Sequence, residues 1–290
     1  TLNVAGTGAW AAGGNMNTAK QQMGGAGESQ TAALAFGGDS GSDQLTICEQ
    51  YNGSAWSEVA DLASKISNNA GFGTSTAAIS AGGRSGDTSL DLVEKWDGSS
   101  WTEVNEINTG RYGASGVGTI TSGLIFGGQP DSGGGQALTE SWNGTSWTEV
   151  GDINTARNTG AGFGVTNTAA VYCGEAASVN GITELWNGTS WTEVADLNTT
   201  RRQHGPGGAG SSISGMVFGG ENPSASNIAN VETFNGTSWS AFADLNVARK
   251  GGIGAGASSV SGLFSGGNDD NDATEEYTSP AIATKTVDVD

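Results

Sequence analysis

Along the chain, short runs of alternating apolar and polar residues are separated by glycine pairs and Asn-Gly turns, and no apolar stripe recurs at helical spacing. Apolar runs ending in two glycines include Ala35-Phe36-Gly37-Gly38, Ile125-Phe126-Gly127-Gly128 and Val217-Phe218-Gly219-Gly220. A glycine-rich stretch such as Gly160-Ala161-Gly162-Phe163-Gly164 precedes each run. After a loop of variable length comes a segment like Thr139-Glu140-Ser141-Trp142, then the turn Asn143-Gly144, then Trp147-Thr148-Glu149-Val150. This pattern predicts four short antiparallel strands. Asn-Gly is read as a tight hairpin turn in which both central residues favour positive φ.

The unit repeats. Its paired aromatics are Tyr51 and Trp56, Trp96 and Trp101, Trp142 and Trp147, Trp186 and Trp191, and Phe234 and Trp239, with the second member recurring in steps of 45, 46, 44 and 48. Trp10 lies 46 residues before Trp56 without a first aromatic, and Tyr277 has no second aromatic after it. Each end of the chain holds what the other lacks. Four antiparallel strands repeated around an axis make a β-propeller, so the predicted fold is all-β with six blades. Residues 1–280 form the propeller, with 1–11 as outer strand of the closing blade and 281–290 as a tail or linker. Glycine in the first strand allows inner strands to converge on the axis, and the twelve aromatics above fill the wedges where outer strands fan apart.

The glycine pair, the Glu-x-Tyr/Trp strand, the following Trp and connectors such as Asn154-Thr155-Ala156-Arg157 resemble the kelch repeat over nearly the whole chain. Strings such as Asn-Gly-Thr-Ser-Trp-Thr-Glu-Val, and the closing Thr274-Glu275-Glu276-Tyr277, are similar to repeat proteins of marine tailed phages. That resemblance implies a structural or host-attachment role in a virion. Two departures stand out: Glu175 replaces the second glycine of the fourth pair, and the connector into the second blade reads Ala63-Ser64-Lys65-Ile66.

Composition narrows the chemistry. The 290 residues include 50 Gly, and 11 Lys and Arg stand against 30 Asp and Glu, for a net charge of -19. Such a surface repels phosphate backbones, which excludes nucleic acid as a partner, and no apolar run is long enough for a membrane helix. One His (His204, read as a loop residue) and two Cys leave no zinc site of His and Cys ligands, and cannot supply the two His of a copper-radical oxidase. Cys48 and Cys173 fall in opposite blades and read as buried free thiols.

Across each hairpin the pattern puts Glu49 opposite Glu58, Glu94 opposite Glu103, Glu140 opposite Glu149 and Glu184 opposite Glu193. Like charges so placed repel. The connector cations Lys20, Arg111, Arg157, Arg201 and Arg249 recur once per repeat and are the expected neutralisers. A catalytic carboxylate pair occurs once per molecule, whereas this one is copied, so it reads as architecture. The acidic run Asn268–Asp272 lacks the spacing of a Ca²⁺ loop and reads as solvated. No residue is assigned to catalysis, a metal or a cofactor.

Variation between copies concentrates between the second and third strands. Asp39, Asp43, Arg84, Asp87, Asp131, Glu175, Asn180, Glu221, Asn227, Asp269 and Asp272 lie there and are the candidate ligand-binding residues, on one face beside the basic connectors. The functional expectation is a non-enzymatic virion or extracellular protein whose partners are other virion or fibre subunits and a host surface glycan. The alternatives are a secreted or cell-surface microbial adhesin or fibre protein, and a carbohydrate-active enzyme.

Overall fold

The computed structural model describes residues 2–4, 8–174, 181–203, 209–268, 271–279 and 283–285. Among these, six four-stranded antiparallel sheets surround one axis, and there is no helix. Blade 3 shows the template: inner strand a (Ser115–Thr119), b (Ser122–Phe126), c (Thr139–Trp142) and outer strand d (Trp147–Glu149). From a to d, blade 1 spans 24–58, blade 2 70–103, blade 4 161–193 and blade 5 209–241. Each inner strand packs beside the next around the circle, including that of blade 6 (Ile253–Ser258) beside that of blade 1 (Gly24–Ser29).

The two ends meet as predicted. Ala9–Ala12 is the outer strand of blade 6, antiparallel to Thr274–Thr278, with Trp10 opposite Tyr277. A closed ring leaves no open seam between first and last blades. Part of the tail is also paired within the chain, because Ala283–Lys285 lies antiparallel to Leu2–Val4.

The apolar core is divided into six wedges, one between each pair of adjacent blades. Between blades 2 and 3, Phe72, Ile79 and Val93 meet Ile125, Trp142 and Trp147, whose two indoles lie 5.1 Å apart. Truncating a buried Trp in such a wedge costs about 3–5 kcal/mol. Several outer tryptophans also bond back to the preceding blade. Trp191 Nε1 donates to Thr139 Oγ1 at 3.1 Å, Trp239 Nε1 to Thr183 Oγ1 at 3.0 Å and Trp56 Nε1 to Thr274 Oγ1 at 2.8 Å. In blade 1 the same column holds Cys48, and Trp101 Nε1 has no oxygen acceptor.

Glycine is demanded where side chains do not fit. The pair ending strand b has φ of 65° and 102° at Gly127 and Gly128, both left-handed. At Gly71 an added Cβ would come within 2.4 Å of the main-chain nitrogen of Gly25, so inner strands of blades 1 and 2 approach backbone to backbone. The Asn-Gly turn differs from expectation. Trp142 pairs with Trp147, so the loop has four residues, and only Gly144 has positive φ, at 94°. Asn143 serves through its side chain: its Oδ1 accepts the N–H groups of Thr145 and Ser146, both at 2.9 Å. In blade 2 Asp97 does the same for Ser99 and Ser100, and those bonds, led by the Ser99 hydroxyl, pull its carboxyl down to about 2.

Candidate functional site

Each connector is anchored to the c strand of the blade it enters. In blade 3 the Asn108 main-chain N–H and Nδ2 both donate to Glu140 Oε2, at 2.7 and 2.6 Å, and Arg111 Nη1 donates to Oε1 at 2.6 Å. Asn154 and Arg157 hold Glu184 in this way, as do Asn198 and Arg201 with Glu232, and Asn246 and Arg249 with Glu275. In blade 1 Lys20 stands 3.6 Å from Glu49. Burial pulls Arg249 down to about 10 and also lowers Lys20 and Arg201, against the opposing effect of their carboxylates.

The predicted carboxylate pairs are in register: Glu49 faces Glu58, Glu94 faces Glu103, Glu140 faces Glu149 and Glu184 faces Glu193. The inner member of each pair is buried and the outer is exposed, so one cation per blade suffices. Blade 2 departs from this. Ile66 stands where the cation belongs, and Glu94 accepts the Ala63 N–H at 3.0 Å. Burial, reinforced by Glu103 across the hairpin, pushes the Glu94 carboxyl above its ordinary value.

Two residues beyond the cation column, Gln22, Asn68, Gly113, Thr159, Gln203 and Gly251 share a left-handed backbone, with φ between 52° and 72°. The N–H of each donates to the carbonyl of its counterpart in the preceding blade. Asn68 donates to Gln22 (2.6 Å), Gly113 to Asn68 (2.8 Å), Thr159 to Gly113 (2.8 Å), Gln203 to Thr159 (3.0 Å), Gly251 to Gln203 (2.8 Å) and Gln22 to Gly251 (2.7 Å). Six hydrogen bonds thus run in one direction around the axis and close on themselves. This girdle rings a cavity of about 50 Å³ at the channel mouth. Beyond it, inner-strand glycines and Glu28 line a second cavity of about 310 Å³.

Outside the girdle the connectors pair with the loops between strands b and c. Main-chain bonds join Gln21 to Asp39, Ser67 to Arg84, Tyr112 to Gln129, Arg202 to Glu221 and Lys250 to Asn268. The described b–c loops and the connectors therefore share one face, around the channel mouth. Glu221 is buried and receives both Arg202, with Nε at 2.8 Å, and Lys250 Nζ. Burial raises its carboxyl, and the bonds from Lys250 and Arg202 outweigh this and leave it below its ordinary value.

The remaining candidates are dispersed around the rim. Asp39 accepts the Gly41 N–H at 2.6 Å, Asp43 pairs with exposed Lys65, and Asp131 accepts the Ser89 N–H at 2.5 Å. Asp87 is exposed beside the hairpin of Arg84–Ser85 and Thr88–Ser89, Asn227 bridges Glu221, and Asp272 accepts Asn15 Nδ2 at 3.1 Å. Glu175, Asn180 and Asp269 lie outside the described residues, as does His204. Cys48 and Cys173 are buried and unbridged, and burial pushes both thiols up to about 12.

Arg84 lies over the Tyr112 ring, its guanidinium carbon 5.3 Å from the centroid. Sequence reasoning picked out Arg84 and missed Tyr112, Gln129 and the girdle. The available signal was positional, since girdle residues fall two places after the connector cation. Their types (Gln, Asn, Gly, Thr, Gln, Gly) share no side-chain chemistry. The chain is therefore a six-bladed β-propeller with an axial mouth on its loop face, lined by glycines and by amide-bearing Gln21, Gln22, Asn68 and Gln203. No protein-family model matches the chain, and no curated protein matches it.

Proposed function

We propose that this propeller is a non-enzymatic structural or host-attachment protein of a virion, kelch-like in its repeat, which engages host surface glycan through the loop face. The observation that carries this reading is the asymmetry of the disc. One face bears loops between strands b and c that differ from blade to blade, around a mouth whose lining includes the amide side chains of Gln21, Gln22, Asn68 and Gln203. The other bears short hairpins, built in blades 1 to 5 from similar Asn-Gly or Asp-Gly turns. Rigid scaffolds that vary in their loops are how recognition surfaces are built, and amide groups match sugar hydroxyls as donor and acceptor.

The repeated carboxylates Glu49, Glu140, Glu184, Glu232 and Glu275 are held by connector cations, which supports architecture over catalysis. On the hairpin face, exposed Ile213 and Val260 in the a–b turns of blades 5 and 6 suit packing against another virion subunit. Immunogold labelling of native particles tests the placement. Label on a tail or capsid supports the proposal, and label confined to cell-surface or secreted fibres turns it to a microbial adhesin.

A further inference from the structure

The chain has six arginines, and five of them hold carboxylates: Arg111, Arg157, Arg201, Arg202 and Arg249. Arg84 is the exception. It forms no ion pair with any described carboxylate, its Nε is buried without a hydrogen-bond partner, and its guanidinium is stacked on Tyr112. In a chain of net charge -19 acidic partners are abundant, yet Arg84 and Lys95 have no ion pair among the described residues, and of these two only Arg84 has a buried nitrogen without a partner. Of the carboxylates on the neighbouring loops, Asp43 is engaged with Lys65 and Asp131 with the Ser89 N–H, while Asp87, in the same hairpin as Arg84, is exposed and forms no ion pair with it.

The position is also held firmly. The Arg84 main chain exchanges two hydrogen bonds with Ser67, at 2.9 and 3.0 Å, and Tyr112 exchanges two with Gln129, at 2.8 and 3.0 Å. Ser67 and Tyr112 each precede a girdle residue, so the cation and its aromatic support sit on the rim of the axial mouth. Gln129 Oε1 is fixed by Asn158 Nδ2 at 2.7 Å.

We infer that Arg84, supported by Tyr112, is the anchor for one carboxylate group of an acidic sugar, a uronic-acid unit of a surface polysaccharide. This deepens the proposed function and rests on it. A guanidinium presents paired N–H groups that match a carboxylate in a two-pronged contact, and stacking on an aromatic ring leaves that fork free. A single cation offsets one negative charge. The rest of this acidic molecule repels a ligand of higher charge, which disfavours phosphate esters and sulfated chains. At the mouth Asn68 Nδ2 donates to Gln22 Oε1, which leaves Gln22 Nε2 and Asn68 Oδ1 as donor and acceptor for ring hydroxyls.

The test is calorimetric titration of the full chain with galactobiose carrying a single galacturonate unit, neutral galactobiose, acetate and inorganic phosphate. The singly charged disaccharide is expected to bind at least tenfold more tightly than neutral galactobiose, and to weaken as salt is added. Arg84→Gln is expected to abolish that preference, while Arg84→Lys, which keeps the charge but not the fork, retains only part of it. Circular dichroism and the thermal midpoint verify that both variants are folded. Undiminished binding of the acidic disaccharide by folded Arg84→Gln overturns the assignment, and so does phosphate binding more tightly than that disaccharide. If an array of neutral and acidic glycans shows binding that ignores Arg84, this inference fails and the glycan reading survives. If no glycan binds, both fail.

Discussion

Blades 2 and 3 are neighbours folded on one strand template, yet they treat the same buried carboxylate in opposite ways. In blade 3 Glu140 is held by Arg111 and by both donors of Asn108. In blade 2 Ile66 and Ala63 occupy those two positions, and Glu94 keeps main-chain donation from Ala63. Strand pairing is the same in both blades, so the cation is not what sets the register. What it supplies is charge neutralisation, which burial makes valuable. Blade 2 also contacts the only thiol in the threonine column and carries an arginine without a carboxylate on its outer loop. Its electrostatics are turned inside out relative to its neighbour.

The largest expected effect comes from making blade 3 resemble blade 2. Arg111→Met strands Glu140 and is expected to cost about 3–5 kcal/mol, read as a lower urea midpoint. Adding Glu140→Gln should recover a good part of the loss. Failure to do so would mean that Arg111 acts by packing alone.

Giving blade 1 the threonine that blades 3, 4 and 6 have comes next. Cys48→Thr offers Trp101 Nε1 an acceptor and should stabilise by about 0.5–1.5 kcal/mol. The same replacement at Cys173, which lies outside that column, should not.

Glu94→Gln relieves the uncompensated carboxylate of blade 2 and should raise the thermal midpoint by on the order of a few degrees at neutral pH. Because burial raises the Glu94 carboxyl in the fold, ionisation is penalised there more than in the unfolded chain. The penalty is fully present above the folded value and is relieved as pH falls towards the unfolded value. The advantage of the variant should therefore vanish in acid below the ordinary carboxylate range. A gain that is independent of pH would point to a steric cause.

The smallest effect concerns the girdle. Thr159 is β-branched with φ of 53°, and Thr159→Gly should be neutral or gain up to about 1 kcal/mol as backbone strain and unfolded-state entropy oppose each other. Gly113→Thr, which adds the same strain in blade 3, should lower the midpoint. An added Cβ there would meet Thr159 Cγ2 at 3.1 Å.

Much of this was legible in the one-dimensional pattern. Recurring tryptophans reported six wedges, the split repeat at Trp10 and Tyr277 reported closure, and the Glu column beside the connector cations reported the buried ion pairs. Each of these rests on side-chain type at fixed spacing. The Asn143 turn was misread in mechanism, because the same dipeptide serves a two-residue turn through φ and a four-residue loop through its carbonyl oxygen.

Residue order alone thus determined the number of blades, their strand order, the seam and the polarity of the disc, because period-two alternation and a strict repeat leave one way to bury every aromatic. Only the folded ring decided that six unlike residues would share one backbone conformation and bond in a circle. It also decided that Arg84 would rest on the ring of Tyr112, 28 residues further along the chain. Those contacts run between blades, where main-chain groups and distant side chains are brought together by curvature, which no local pattern encodes.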